Sequence, residues 1–256
     1  MATALAPRSR FRSRSGVPVA PGATPAPARW RRLALAGAAG PPLFLLVATV
    51  AGLLTPGYDA LTQPVSLLAL GPLGWIQTLN FYAFGATVVA AGWALYAGAP
   101  EPAPAARRGA RLAGATAAIL LACSGLSLVA AGVLPADAPG APPTPTGLLH
   151  GLTFFGTVVP LPGAYAFLAL RLLEVPRWRR HALLTATLPS AVFFLVFLYG
   201  VLGSEPDDPL AAVSGVLQRV LLLVAFGWLT PTLWRLRSRP EGEPGPGGGG
   251  LRPAGR

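Results

Sequence analysis

The chain has 256 residues and a formal net charge of +11, yet 53% of its residues are hydrophobic and only 11% are charged. Soluble domains carry charge at about a quarter of their positions, so this composition argues against a water-soluble protein. Long continuous apolar runs also exclude a transmembrane β-barrel, whose strands alternate apolar and polar residues.

Residues 1–32 are rich in Arg, Pro, Ala and Ser and contain no acidic residue. Residues 238–256 are rich in Pro and Gly. Neither segment holds enough apolar side chains to form a core, so both are predicted to be disordered cytoplasmic tails. The segment between them, residues 33–237, is predicted to be a single transmembrane domain.

Six apolar segments follow one another through this domain, at about residues 33–54, 73–98, 111–134, 147–172, 182–203 and 213–236. Each is as long as the roughly 20 residues that a helix needs to cross about 30 Å of hydrocarbon. The sequence therefore predicts an all-α, polytopic membrane protein. Its short connections favour six transmembrane helices in one antiparallel bundle.

Basic and acidic residues alternate between the connections. Nineteen of the twenty basic residues, all arginine, lie in the two tails, at the end of the sixth span (Arg235, Arg237) and in the connections near 99–111 and 171–181. The other connections contain Asp59, Asp137 and the group Glu205, Asp207 and Asp208, without arginine. Because cytoplasmic loops retain arginine, both termini are predicted to be cytoplasmic and the acidic connections to face outward from the cell membrane.

The distribution of the arginines also indicates which molecules the protein contacts. The arginines are spread over four segments on one side of the membrane, so we expect them to contact the anionic inner leaflet of the bilayer, at about 1 kcal/mol per basic residue near the surface. A nucleic-acid partner is not expected, since the topology already accounts for the basic charge. The sequence does not indicate an oligomeric state.

Arg219 is the exception to the charge pattern, because it lies about 9 Å inside the outer end of the sixth span at helical rise. An arginine at that depth must extend toward the interface or pair with an acid. The acidic residues of the outer connections, including Asp59 and Asp137, are the candidate partners. A structural bridge and a site for an anion or lipid headgroup both remain open.

His150 lies one turn inside the fourth span, just after the connection that contains Asp137. An Asp137–His150 pair could act as a general base or proton relay, which makes these two the candidate catalytic residues. The alternative is that His150 binds a loop carbonyl. Asn80, one turn from Gln77 on the second span, is expected to form interhelical hydrogen bonds.

No metal site and no cofactor are expected. His150 and His181 are predicted on opposite sides of the membrane and cannot share an ion, and Cys123 is the sole cysteine. His181 is predicted to be an interface residue at the inner end of the fifth span. The sequence contains no phosphate-binding or dinucleotide-binding glycine motif.

Several short motifs of the outer side occur in an order that resembles the DUF998 family of prokaryotic multi-pass membrane proteins. They are residues 55–58 (Thr-Pro-Gly-Tyr), 66–71, Asn80, Gly85, 132–137 (Gly-Val-Leu-Pro-Ala-Asp), 146–150 (Thr-Gly-Leu-Leu-His) and 215–219 (Gly-Val-Leu-Gln-Arg). Leu134 departs from the aromatic residue expected before the proline. The resemblance covers about residues 33–237 and implies that Asp137, His150 and Arg219 are family-type polar residues, but it implies no reaction.

Three functions therefore remain open. The first is a non-enzymatic membrane protein whose outer polar cluster, Asp59, Asn80, Asp137, His150 and Arg219, is structural or binds a lipid headgroup or small ligand. The second is a small-solute transporter or channel, since six spans with proline breaks suffice for one. The third is an interfacial hydrolase or transferase that uses Asp137 and His150.

Overall fold

The computed structural model describes residues 28–100, 102–202 and 210–238. Within these ranges the chain is helical or in turns and contains no β-strand. The α-helices are α1 (Ala28–Leu54), α2 (Gly74–Gly98), α3 (Arg107–Val133), α4 (Pro145–Val158), α5 (Pro160–Leu173), α6 (Arg179–Leu202), α7 (Ser214–Gly227) and α8 (Leu229–Arg237). Short 3₁₀ helices occupy Val65–Leu70, Pro104–Ala106, Pro176–Trp178 and Ala211–Val213.

The six predicted membrane-length segments are confirmed. Helical segments of sufficient length and apolar character span Arg29–Leu54, Gly74–Gly98, Pro104–Val133, Pro145–Leu173, Pro176–Tyr199 and Ala211–Arg237. Helix α1 begins at Ala28, ahead of the predicted start at residue 33. The predicted disordered tails fall largely outside the described residues, as do Glu205, Asp207 and Asp208.

Proline divides two of the six spans. The fourth span separates into α4 and α5 at Val159, because Pro160 and Pro162 have no N–H to continue the helical ladder. The sixth span separates into α7 and α8 at Trp228, one turn before Pro231. In α1 and α6, by contrast, prolines lie inside an unbroken helix. Neighbouring helices in a membrane can satisfy the backbone groups that such breaks leave free.

Small residues bring α2 close to both of its neighbours. A Cβ atom placed on Gly85 would lie 2.4 Å from the carbonyl oxygen of Gly125 on α3, and one on Gly37 of α1 would lie 2.8 Å from the Cβ of Ala91. Such contacts let helix backbones approach without an intervening side chain. They belong to a core that continues through stacked aromatic rings, with Phe44 and Phe84 at a centroid distance of 4.5 Å.

Contacts between helix ends define two ends of the assembly. At the acidic end, which holds the connections with Asp59 and Asp137, Tyr82 of α2 donates a hydrogen bond to the carbonyl of Gly132 on α3. At the arginine end, Gly98 of α2 packs against Trp30 of α1. Side chains in the arginine half are tightly buried, with exposed fractions of 0–2% for Leu161, Leu168, Leu172, Leu229, Leu233 and Leu236.

His181 lies in the first turn of α6, as predicted for the inner end of the fifth span, and its side chain is only 8% exposed. Its ring stacks on Trp228 at a centroid distance of 4.8 Å. Its Nε2 lies 2.8 Å from the Thr232 hydroxyl, which itself donates to the carbonyl of Trp228. His181 therefore packs between α6 and the α7–α8 junction. Its position in the sequence did not indicate this contact.

We expect Gly125→Ala to destabilise the protein and Gly109→Ala to leave its stability unchanged or raised. A methyl group on Gly125 would lie 2.6 Å from the Gly85 carbonyl oxygen, whereas one on Gly109 meets no atom within 4 Å. Overpacking costs about 1–3 kcal/mol, which exceeds the roughly 1 kcal/mol of helix propensity that alanine adds. Thermal denaturation in detergent should show a lower midpoint for Gly125→Ala alone; equal midpoints for the two variants would contradict the close packing.

Candidate functional site

The connection between α1 and α2 is held against the start of α7 by Arg219. The Arg219 guanidinium donates hydrogen bonds to the carbonyls of Ala60, Gln63 and Gly215 at 2.8–3.1 Å. It also donates to the Tyr58 hydroxyl at 2.5 Å. Arg219 therefore finds its acceptors in backbone carbonyls and a phenol, and among the described residues it forms no ion pair with an acid.

The first turn of α7 supplies further contacts to the same connection. Ser214 donates its hydroxyl to the Thr62 carbonyl at 2.7 Å, and the Gln218 side-chain carbonyl accepts from the Val65 amide at 2.8 Å. Gly215 is required for this approach, since a Cβ there would lie 2.5 Å from the carbonyl oxygen of Gln63. Together with Arg219, these bonds fix the chain where it enters the 3₁₀ helix Val65–Leu70.

Asp59 stabilises a local turn in this connection. Its carboxylate accepts hydrogen bonds from the Leu61 amide at 2.9 Å and the Thr62 hydroxyl at 2.8 Å. These bonds hold the pKa of Asp59 below its ordinary value, with the positive charge of Arg219 contributing less. Asp59 is therefore near Arg219 without being its hydrogen-bond partner.

Asp137 organises the start of α4. Its carboxylate oxygens accept from the Thr144 hydroxyl at 2.7 Å and the Thr144 amide at 3.0 Å, and these bonds lower the pKa of Asp137. The Thr144 hydroxyl in turn caps α4 by accepting from the Gly147 amide at 3.0 Å. A Cβ on Gly147 would lie 2.0 Å from the Asp137 carboxylate, so glycine leaves room for the acid.

His150 is not hydrogen-bonded to Asp137. Its Nδ1 lies 2.7 Å from the Leu134 carbonyl oxygen, which can only accept, so Nδ1 bears the proton. In the neutral ring Nε2 is then left as an acceptor, and it has no hydrogen bond to any described residue. The alternative raised from the sequence, a histidine on a loop carbonyl, is the geometry observed.

Asn80 forms the interhelical hydrogen bond expected of it. Its side-chain amide donates to the Phe44 carbonyl of α1 at 3.0 Å and to Gln77 at 3.2 Å. Asn80 and Gln77 are both buried, with exposed fractions of 8% and 0%. The predicted polar cluster is thus divided between an anchored connection (Asp59, Arg219), a capped helix start (Asp137), a helix contact (Asn80) and His150.

His150 faces a cavity of about 460 Å³ in the acidic half of the assembly. Cavities of this size are typical of small-molecule sites. Each of the helices α1, α2, α3, α4, α6 and α7 contributes residues to its wall. The lining residues are Phe44, Pro64, Val65, Ser66, Phe81, Leu128, Ala131, His150, Gly151, Thr153, Phe154, Phe155, Thr157, Tyr199, Ser214, Gln218 and Leu222.

The cavity wall is mainly apolar, and none of these lining residues bears a fixed charge. Besides the Ser66 hydroxyl, three of its polar groups have unused hydrogen-bonding capacity among the described residues. They are the Nε2 of His150, the hydroxyl of Thr157, whose side chain is 3% exposed, and the Tyr199 hydroxyl, which accepts from Gln218 but donates to no described group. Buried polar groups normally have partners, so this set marks where a ligand can bind.

Thr157 and Tyr199 were not identified from the sequence. Both are uncharged, both lie in continuous apolar runs, and threonine or tyrosine at such positions most often satisfies itself within its own helix. The described residues contain no group of three or more His, Cys, Asp or Glu side chains that could hold a metal ion.

We expect Arg219→Ala to loosen the connection between α1 and α2. Hydrogen bonds to charged groups contribute about 1.5–3 kcal/mol each, so hydrogen-exchange protection of residues 58–66 should fall at least about tenfold. In Arg219→Lys the protection of these residues should be intermediate between the parent protein and Arg219→Ala, because an ammonium cannot reach all four acceptors as a guanidinium does. Arg108→Ala, at an exposed site at the start of α3, is the control. Unchanged protection in Arg219→Ala would contradict the anchoring role.

The cap of α4 should depend on pH through Asp137. Because its folded-state pKa is lowered, Asp137 contributes stability above its unfolded pKa of 3.8, and this is lost as pH falls through the lower folded value. We expect the protection factor of the Gly147 amide to decline below about pH 4 in the parent protein. Asp137→Asn should be less protected at pH 6 and should decline no further. Amides of α2, which contains no acidic residue, are the internal control.

The sequence profile of the family described as "Protein of unknown function (DUF998)" matches residues 38–235. No curated protein and no solved structure matches the chain. The matched range begins within α1 and ends within α8, so it includes most of every span together with the cavity and its anchored connection. The resemblance noted in the sequence is therefore confirmed, and the chain belongs to the DUF998 family.

Proposed function

We propose that this membrane protein binds a small, uncharged, amphipathic molecule in the cavity, with His150, Thr157 and Tyr199 as the polar contacts. The observation that supports this proposal is the unused hydrogen-bonding capacity of these three side chains inside a mainly apolar wall. Of the predicted outer polar residues, His150 alone is given a ligand-binding role. Asp59, Asn80, Asp137 and Arg219 are given structural roles.

The bonding pattern favours a hydroxyl group on the ligand. In the neutral ring with Nδ1 protonated, the His150 Nε2 can only accept a hydrogen bond, whereas Tyr199, which already accepts from Gln218, has its O–H free to donate. A ligand group that contacts both must donate to one and accept from the other. A hydroxyl does so with a single oxygen, whereas an ether or ketone cannot donate to His150.

The surroundings favour a neutral ligand. None of the cavity-lining residues bears a fixed charge, and burial of an unpaired ion in an apolar site is strongly unfavourable. The nearest cation of the site, Arg219, is already held by three carbonyls and a phenol. An anionic headgroup would have to displace those bonds.

Binding is favoured over transport because the cavity is confined to the acidic half. The same six spans are filled in the arginine half by fully buried leucines, among them Leu168 and Leu233. The orientation is part of the proposal. From the distribution of arginine we infer that the helices form an antiparallel bundle in the cell membrane with both termini cytoplasmic, so that the cavity lies in the outer half. The arginine end would contact the anionic inner leaflet.

The test uses a photoactivatable long-chain alcohol and its methyl ether, each added to the purified protein in phospholipid nanodiscs. We expect the alcohol to label the cavity and to be competed by unlabelled alcohol, whereas the ether should bind at least several-fold more weakly. Thr157→Val and His150→Phe should each weaken binding about 2- to 12-fold, as the loss of one hydrogen bond of about 0.5–1.5 kcal/mol predicts.

Thr187→Val is the matched control. Thr187 is exposed on α6, and its hydroxyl donates to the Leu184 carbonyl of its own helix. Binding of the alcohol by this variant should equal that of the parent protein. Equal labelling by alcohol and ether, or labelling that Thr157→Val and Thr187→Val affect alike, would count against the proposed site.

A further inference from the structure

Among the described helices, α4 and α6 leave one side of the cavity without a close helix–helix contact. Helix α4 packs on α3, whereas α6 packs along α5 and α7, and α4 and α6 are not a closely packed pair among the described helices. It is α5, the second half of the same span after Val159, that packs with α6. At the cavity the two helices meet through a ring contact, Phe154 against Tyr199, at a centroid distance of 5.1 Å.

This open side lies at hydrocarbon depth. The two exposed lining residues, Gly151 and Phe155, are both on α4, and Phe155 is 48% exposed. Phe155 is ten residues after Pro145, where its span begins, so it lies about 15 Å along the helix from that end. On the facing helix, Phe197 is 53% exposed. Apolar side chains exposed at that depth contact lipid chains rather than water.

At the acidic end, the cavity is covered by the connection between α1 and α2. Pro64, Val65 and Ser66 form the lining there, and Val65 is only 2% exposed. The bond from the Val65 amide to Gln218 and the bonds of Arg219 to the preceding carbonyls hold this segment in place. The anchored connection thus separates much of the cavity from the aqueous phase.

We propose that the ligand is a lipid alcohol of the surrounding bilayer, which passes into the cavity sideways between α4 and α6. The Phe154–Tyr199 ring pair is the lateral gate. The alkyl chain packs against the apolar wall near Phe44 and Leu128, and the hydroxyl binds between Tyr199 and His150. This inference rests on the proposed function and adds to it the source of the ligand and its path.

The first experiment closes the gate. Phe154→Cys on α4 and Leu195→Cys, one turn before Tyr199 on α6 so that the Tyr199 hydroxyl is kept, are combined in a Cys123→Ser background. The two cysteines are joined by a short bis-maleimide, with a mono-maleimide on the same protein as the matched control. Loading of the photoactivatable alcohol from phospholipid vesicles should slow at least about tenfold in the joined protein, as expected when association must await a blocked motion. When the alcohol is loaded before joining, its release should slow to a similar extent.

The second experiment widens the gate without cross-linking. Phe154→Ala should speed both loading and release of the alcohol by similar factors, so that the rates change more than the affinity. Leu126→Ala, at an exposed site on α3, is the control and should leave both rates unchanged.

The outcomes separate the two proposals. If the parent protein binds the alcohol better than the ether but the joined protein loads it as fast as the mono-maleimide control, passage between α4 and α6 is wrong and the binding site survives. Unchanged rates in Phe154→Ala would have the same meaning. If the parent protein does not distinguish alcohol from ether, the proposed function fails, and the lateral path fails with it.

Discussion

A guanidinium group within a membrane span must find hydrogen-bond acceptors inside the protein, and much of the acidic end is arranged around that requirement. Arg219 meets it with the carbonyls of Ala60, Gln63 and Gly215 and the phenol of Tyr58. Because these acceptors belong mostly to one connection, satisfying the cation also fixes the segment that covers the cavity. The cost of leaving such a group unpaired in lipid gives the arrangement its stability.

The second organising feature is the pair of proline breaks. Backbone hydrogen bonds inside a bilayer are satisfied within each helix, so a break is tolerated only where neighbouring groups compensate. At Val159 the break divides the fourth span into α4 and α5; both halves pack on α3, and α5 also packs with α6. The cavity lies beside the first half, and the buried core lies beside the second. One interrupted helix thereby serves two different packing environments.

The spans were predictable because length and apolar composition determine them and no competing structure hides six such segments from water. The family was predictable from the order of short motifs, which the profile match over residues 38–235 confirms. The partners of the polar residues were not predictable in the same way. Charge suggested that Arg219 would find an acid, but backbone carbonyls of a turn can present several acceptors in one place, and sequence does not reveal where carbonyls point.

For the same reason the cavity was only partly foreseen. His150 could be singled out because histidine is rare in membrane spans, whereas Thr157 and Tyr199 belong to residue types that are ordinary there. Their importance arises because no described neighbour lies within hydrogen-bonding reach, and that depends on α4 and α6 not being closely packed. Asp137 was singled out for its charge, yet its carboxylate caps a helix through Thr144 rather than contacting His150.

The manner in which Arg219 is satisfied has a consequence for sequence variation among related chains. Its acceptors at positions 60 and 63 are main-chain oxygens, so these hydrogen bonds do not depend on which side chains occupy the two positions. The number of residues between Tyr58 and Val65 is a different matter, since one inserted or deleted residue would carry both oxygens out of register. Substitutions of Ala60, which offers only its carbonyl, should be tolerated during evolution, whereas changes in the length of this stretch should not.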